Sequence, residues 1–186
     1  MGQNYIILTI FVFLCLNQAQ SHYFSKKLSP KYLGLKQEKL THLHFYFHDV
    51  ISGKPPSVVK VAEAATSNTS NTGFGTTVMT DDPLTVGPEL TSKIVGRAQG
   101  IVASADLNEP GYLFVLNYVF VDEKYNGSSL SILGRNAVKE PVREMPIVGG
   151  TGVFRFARGY ALTKTHFFNA SNGDATVEYD VYVLHY

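Results

Sequence analysis

The chain has 186 residues, 45% of them hydrophobic, 12% aromatic and 17% charged, a composition that suits one globular domain with a substantial core and excludes disorder over most of its length. A formal net charge of +1 excludes the strongly basic surface that nucleic-acid binding requires, and no nucleic-acid partner is expected. The only cysteine is Cys15, which leaves no internal disulfide and no cysteine-based metal site to expect.

In chain order, residues 1–21 read MGQNYIILTIFVFLCLNQAQS and carry no charged side chain. The apolar run from Tyr5 to Leu16 has the length of a signal-peptide core and falls short of a membrane span, and Ala19 and Ser21 are small enough for cleavage. The expectation is a secreted protein with no membrane partner once this segment is removed. Residues 22–39 follow as a basic arm, with five Lys and one Glu between positions 26 and 39. Scattered among Pro30 and Gly34, these lysines read as a solvated tail.

From Leu40 to Tyr186 the chain reads as one domain of short strands. Expected strands are 40–51, 57–65, 73–80, 93–104, 112–121, 128–133, 159–168 and 175–185, separated by turn-rich segments such as SGKPP, LNEPG and NASNGD. No segment has a convincing helical period, so consecutive strands without crossover helices predict an antiparallel barrel or sandwich. Three sequons, at Asn68, Asn126 and Asn169, lie in polar turn-like stretches and are expected glycosylation sites.

In the first strand, LHFYFHDV, alternation puts Leu43, Phe45, Phe47 and Asp49 on one face and His44, Tyr46, His48 and Val50 on the other. Asp49 therefore shares the apolar face. Either it points into a greasy lumen, where desolvation raises its pKa and makes it a usable proton-transfer group, or it frays into water beside Ser52 and Gly53. Later strands such as GYLFVLNYVFV are apolar on both faces. A barrel greasy on its outside predicts an oligomer.

Among the remaining motifs, His42 and His44 share a strand face but have no third ligand nearby in sequence, and no metal is expected. VGGTGVF lacks the lysine of a phosphate-binding loop, and a tight turn accounts for its glycines. No Gly-x-Ser-x-Gly elbow is present to support a hydrolase. Asp81-Asp82-Pro83 reads first as a turn. Arg97 reads as a buried structural cation paired with one of these acids. Arg143, between Pro141 and Pro146, is expected in a stiff loop able to bind a ligand.

FYFHDV, DDPLT, VGRAQG and GGTGVFRFARGYA, in this order and spacing from about Leu40 to the C-terminus, resemble the signature blocks of the dirigent family of secreted plant proteins. The resemblance implies an all-β, eight-stranded antiparallel barrel assembled as a homotrimer, with a pocket at each barrel mouth and the apoplast as destination. It also implies an acid at Asp49 and a cation at Arg143. The second acid of the lignan-forming members is replaced by Asn136 in LGRNAV, and their tyrosine pair by Val102 and Ser104.

These replacements look more like the subgroup containing legume pterocarpan synthases of isoflavonoid defence chemistry. Such proteins dehydrate a 2'-hydroxyisoflavan-4-ol and close its ring through a quinone methide, without a cofactor. On that resemblance the expected catalytic residues are Asp49, Arg143 and, secondarily, Asp82. Phe45, Phe47, Val102, Ser104 and Asn136 are expected to form or border a flat site for the phenolic substrate. The alternative is a non-catalytic dirigent protein that steers the coupling of phenoxy radicals made by a separate oxidase. A lectin-like barrel is a third reading, disfavoured because the chain has no Trp.

Overall fold

A computed structural model describes residues 24–35, 37–122 and 124–186. They belong to two compact units, divided between Leu35 and Lys36. The first unit contains one short 3-10 helix, Pro30–Leu33, whose start is capped by the Ser29 side chain and whose end is turned by Gly34 in the left-handed region. The expected signal peptide lies outside the described residues.

The second unit consists of nine strands: β1 (Lys39–Asp49), β2 (Val58–Ala62), β3 (Thr77–Thr85), β4 (Ile94–Ser104), β5 (Tyr112–Phe120), β6 (Ser129–Asn136), β7 (Arg143–Thr151), β8 (Arg158–Phe168) and β9 (Ala175–His185). All neighbours pair antiparallel in the order β1, β9, β8, β7, β6, β5, β4, β3, and a β1–β3 pairing closes the ring. The result is an eight-stranded barrel, with β2 added to β3 outside it. Among the described residues there is no α-helix.

The strands form because their alternation supplies one wholly buried face. In β5, Phe114, Leu116, Tyr118 and Phe120 are buried while Leu113 and Val115 are exposed, and β9 repeats the pattern with Val177, Tyr179, Val181 and Val183 inside. One end of the barrel is filled by aromatic packing. Phe45 stacks on Tyr179 at 5.4 Å between ring centroids and meets Tyr118 edge-on at 5.5 Å, while Phe120 and Tyr125 pack on Phe154. Strands cross so closely that a β-carbon at Gly159 would collide with the Tyr182 carbonyl, so only glycine fits there.

Two expected elements change. The expected second strand, 57–65, is the short external β2, and the segment expected to be a stiff loop around Arg143 opens β7 instead. Likewise Gly149, Gly150 and Thr151 end β7, and only Gly152–Phe154 form a tight 3-10 turn. Pro146 hid this strand in the sequence. It is tolerated because β7 pairs with β6 only from Ile147 onward, so near Pro146 that edge of the ladder needs no donor.

Candidate active site

The other end of the barrel collects polar side chains of the inner face, Asp82, Asn136, Arg143 and Thr163 among them. Asp49, the last residue of β1, and Asp82, inside β3, meet there, with Asp82 wholly buried. Asp81-Asp82-Pro83 is therefore strand and not the expected turn. Pairing between β1 and β3 runs through Tyr46 with Thr85 and Phe47 with Leu84; continued by two residues, this register sets Asp49 opposite Asp82. Pro83 has no N–H to extend that ladder. At this gap the chain between β1 and β2 closes in: Ser57 N–H donates to the Val50 carbonyl at 2.9 Å and Asp81 N–H to the Ser57 carbonyl at 2.9 Å.

The two acids sit in unequal settings. Asp82 accepts hydrogen bonds from the hydroxyls of Ser57 and Thr80. Burial raises its pKa to about 6, with the bonds from Ser57, Thr80 and Asp49 holding it back from going higher. Burial likewise raises Asp49 well above the usual carboxylate range, and the charge and hydrogen bond of Asp82 push in the same direction. Both acids are thus easier to protonate than an ordinary carboxyl group, Asp49 the more so, as expected when two carboxyl groups share a dry site. Asp49 is an acid in an apolar lumen and not a frayed strand end.

On the far wall, Arg143 is 4% exposed. Its Nη1 donates to Thr165 Oγ1 at 2.8 Å and its Nε has no partner. Burial lowers its pKa. Neighbouring strands add further unpartnered polar atoms, the Oδ1 of Asn136 and the Oγ1 of Thr163, where Thr163 sits beside Arg143 in the β7–β8 register and beside Tyr179 in the β8–β9 register. Buried polar groups are normally satisfied, so this band of orphans describes a wall made for a polar ligand. The Tyr179 phenol, raised mainly by burial, feels Asp49, Asp82 and Arg143 at once. The acid pair and the cation therefore face one lumen.

Not every expected site residue joins them. Val102 and Ser104 lie on the inner face of β4, paired with Phe114 and Tyr112. Phe47 packs its ring on Tyr179 at 5.7 Å, whereas Phe45 lies in the aromatic floor below the site. Arg97 is not the expected buried cation: it pairs with Asp81 at 2.6 Å, and its side chain is 38% exposed. Sequence reasoning missed Tyr112, which sits on the inner face opposite Ser104 and Asn136. Burial raises its pKa and so does Asp49. A phenol absent from β4 is thus supplied by the next strand, as period-2 reading of GYLFVL would have found.

A family model described as Dirigent-like protein matches residues 40–184. The chain is 53% identical to Dirigent protein 21 of Arabidopsis thaliana, over the whole of both chains. It is 54% identical to Pterocarpan synthase 1 of Glycyrrhiza echinata, across 94% of this chain and 93% of that one. Among solved structures it is similar to the pterocarpan synthase dirigent protein GePTS1, with a TM-score of 0.79, 56% identity and coverage of 87% of this chain and 99% of that chain.

Proposed function

The chain belongs to the dirigent family, and on that premise we propose that it is a cofactor-independent hydro-lyase of the pterocarpan synthase type. The observation that carries this reading is the juxtaposition of Asp49 and the buried Asp82 at the end of a barrel whose opposite wall holds the buried Arg143, its Nε without a partner. Dehydration of a 2'-hydroxyisoflavan-4-ol needs a donor at the leaving 4-hydroxyl and stabilised negative charge at the 7-oxygen. Asp49 gives its proton to the hydroxyl, which departs as water. The 7-hydroxyl releases its proton to solvent, and Arg143 holds the resulting 7-phenolate, whose electrons complete the neutral quinone methide as the C4–O bond breaks. The 2'-hydroxyl then attacks the same carbon and returns its proton to Asp49, while the electron pair goes back to the 7-oxygen, which takes a proton from solvent.

Asp82 lends its charge to the pair and keeps Asp49 protonated until substrate arrives. Asn136 and Thr163 offer an acceptor and a hydroxyl to orient phenolic groups, and Val102 and Ser104 leave a small-residue wall on β4. Ring closure within one bound molecule then gains from proximity alone.

Purified protein incubated with a racemic 2'-hydroxyisoflavanol and no oxidase tests the reading. One enantiomer should convert to pterocarpan above the buffer rate. Absence of any such conversion removes it, and stereoselective coupling of a phenol that appears only with an added oxidase supports the non-catalytic steering alternative.

We also propose a homotrimer, secreted to the apoplast. The apolar outer faces of β4, β5 and β6, with Ile101, Leu113, Val115 and Leu133 exposed, support burial against further copies of the chain. Asn68 and Asn126 are exposed, and Asn169 Oδ1 accepts from both N–H and hydroxyl of Ser171 within its sequon, so all three suit the glycans of a secreted protein.

A further inference from the structure

The outer wall of β1 and β9 carries a cluster that the lumen chemistry does not use. His42 and His44 point outward from β1, and Glu178 and Asp180 point outward from β9 beside them, because His44 pairs with Asp180 in the β1–β9 register. His44 Nε2 lies 3.0 Å from Glu178 Oε1, and His42 Nε2 lies 2.8 Å from Asp180 Oδ1. The ligand atoms of His44, Glu178 and Asp180 all lie within 4.8 Å of one another. We propose that this cluster is a surface site for one divalent transition-metal ion of the zinc type, held by His44, Glu178 and Asp180 and oriented by His42.

Donors bound to one zinc at about 2.1 Å stand about 3.4 Å apart in a tetrahedral arrangement. The three side chains therefore need only small rotations on a rigid two-strand platform. One imidazole and two carboxylates form a borderline donor set that suits zinc over magnesium, which favours oxygen-only octahedral shells. Water fills the open position, since the side chains are about one-third to two-fifths exposed. His42, bound to Asp180, fixes that carboxylate as outer partners of metal ligands do. The expectation of no metal weighed the two histidines of β1 alone; the acids arrive from β9, which follows in sequence by more than a hundred residues.

Position in the ring keeps the site free. In the strand order, the β1–β9 pair stands diametrically opposite the β5–β6 pair, whose outer face exposes Leu113, Val115 and Leu133. An oligomer built on the apolar side leaves this wall in solvent.

Titration calorimetry of the intact protein with zinc chloride tests the proposal, with magnesium chloride as comparison. The expected result is saturable binding of one zinc per chain and none of magnesium. Affinity should fall at least about tenfold in His44→Ala and in Glu178→Gln, and about tenfold in His42→Ala, while His166→Ala, an exposed β8 histidine outside the cluster, binds as wild type. These are surface positions, and an unchanged melting temperature of the zinc-free variants shows that they fold. No saturable binding, equal affinity for magnesium, or zinc binding unaltered by His44→Ala overturns the proposal.

Discussion

Asp49 stands opposite Asp82 across the seam where the first strand closes the barrel, and the two acids share a hydrogen bond. Their meeting depends on Pro83, which ends the β1–β3 ladder and lets Ser57 enter to hold Asp82. A backbone interruption thus brings two carboxyl groups together in the wall.

Removing the donor while keeping its shape is the sharpest test of the acid. Asp49→Asn should lower turnover of the isoflavanol by about two to four orders of magnitude with little change in melting temperature. Steady-state kinetics beside a thermal melt checks this, and unchanged turnover would reassign the role.

The pH dependence of stability reports Asp82. Its folded pKa of about 6 lies above the ordinary carboxyl value of 3.8, so the folded state binds more protons between those values and stability rises as pH falls through about 6 towards 4. The shift corresponds to about 3 kcal/mol at most, reached when the group is fully protonated. His48, lowered by burial, loses stability as pH falls through the same region and opposes it. The difference between wild type and Asp82→Asn reports the acid: from pH 7.5 to pH 5 the urea midpoint of the wild type should rise relative to that of the variant. A constant difference across that range contradicts the assignment.

Arg143 offers a planar fork to a phenolate, whereas lysine offers a point charge. Arg143→Lys should keep the barrel folded and cut kcat by about tenfold to a hundredfold. Equal kcat with a raised KM would show a binding role only.

The outer face has its own prediction. If the proposed trimer forms through this face, Leu133→Asp, at an exposed position of β6, should convert it to a monomer in light scattering while circular dichroism stays that of the wild type. A wild-type protein that is already monomeric sinks the assembly, though not the lumen chemistry.

Much of this fold was legible in the sequence because a two-residue period survives in β1, β5 and β9, where apolar inner residues repeat without exception from Phe45 to Phe47 and from Phe114 to Phe120. The number of barrel strands came out at eight by compensation. The β2 strand was counted inside, and β7 was hidden by Pro146 and its glycines. Alternation put Asp49 on the apolar face but left open whether it enters the lumen or frays into water. Asp82 read first as a turn residue, because Asp-Asp-Pro has the local chemistry of a turn, and it is the pairing with β4, where Asp82 faces Ala98, that keeps it extended. The second acid replaced at Asn136 has a counterpart in Asp82 of β3, named from the sequence only as a secondary candidate, because its approach to Asp49 is a relationship between distant strands that no local spacing encodes.

Closure also sets a timetable. The first strand finds its longest ladder with the last, from Lys39 with His185 to Asp49 with Ala175, so during synthesis β1 must wait, unpaired along that edge, until the final strand has left the ribosome. Its alternating histidines, Glu38 beside it and the lysines before it keep that waiting strand soluble. Deleting the last eleven residues would therefore not shorten the barrel but leave an open, sticky sheet.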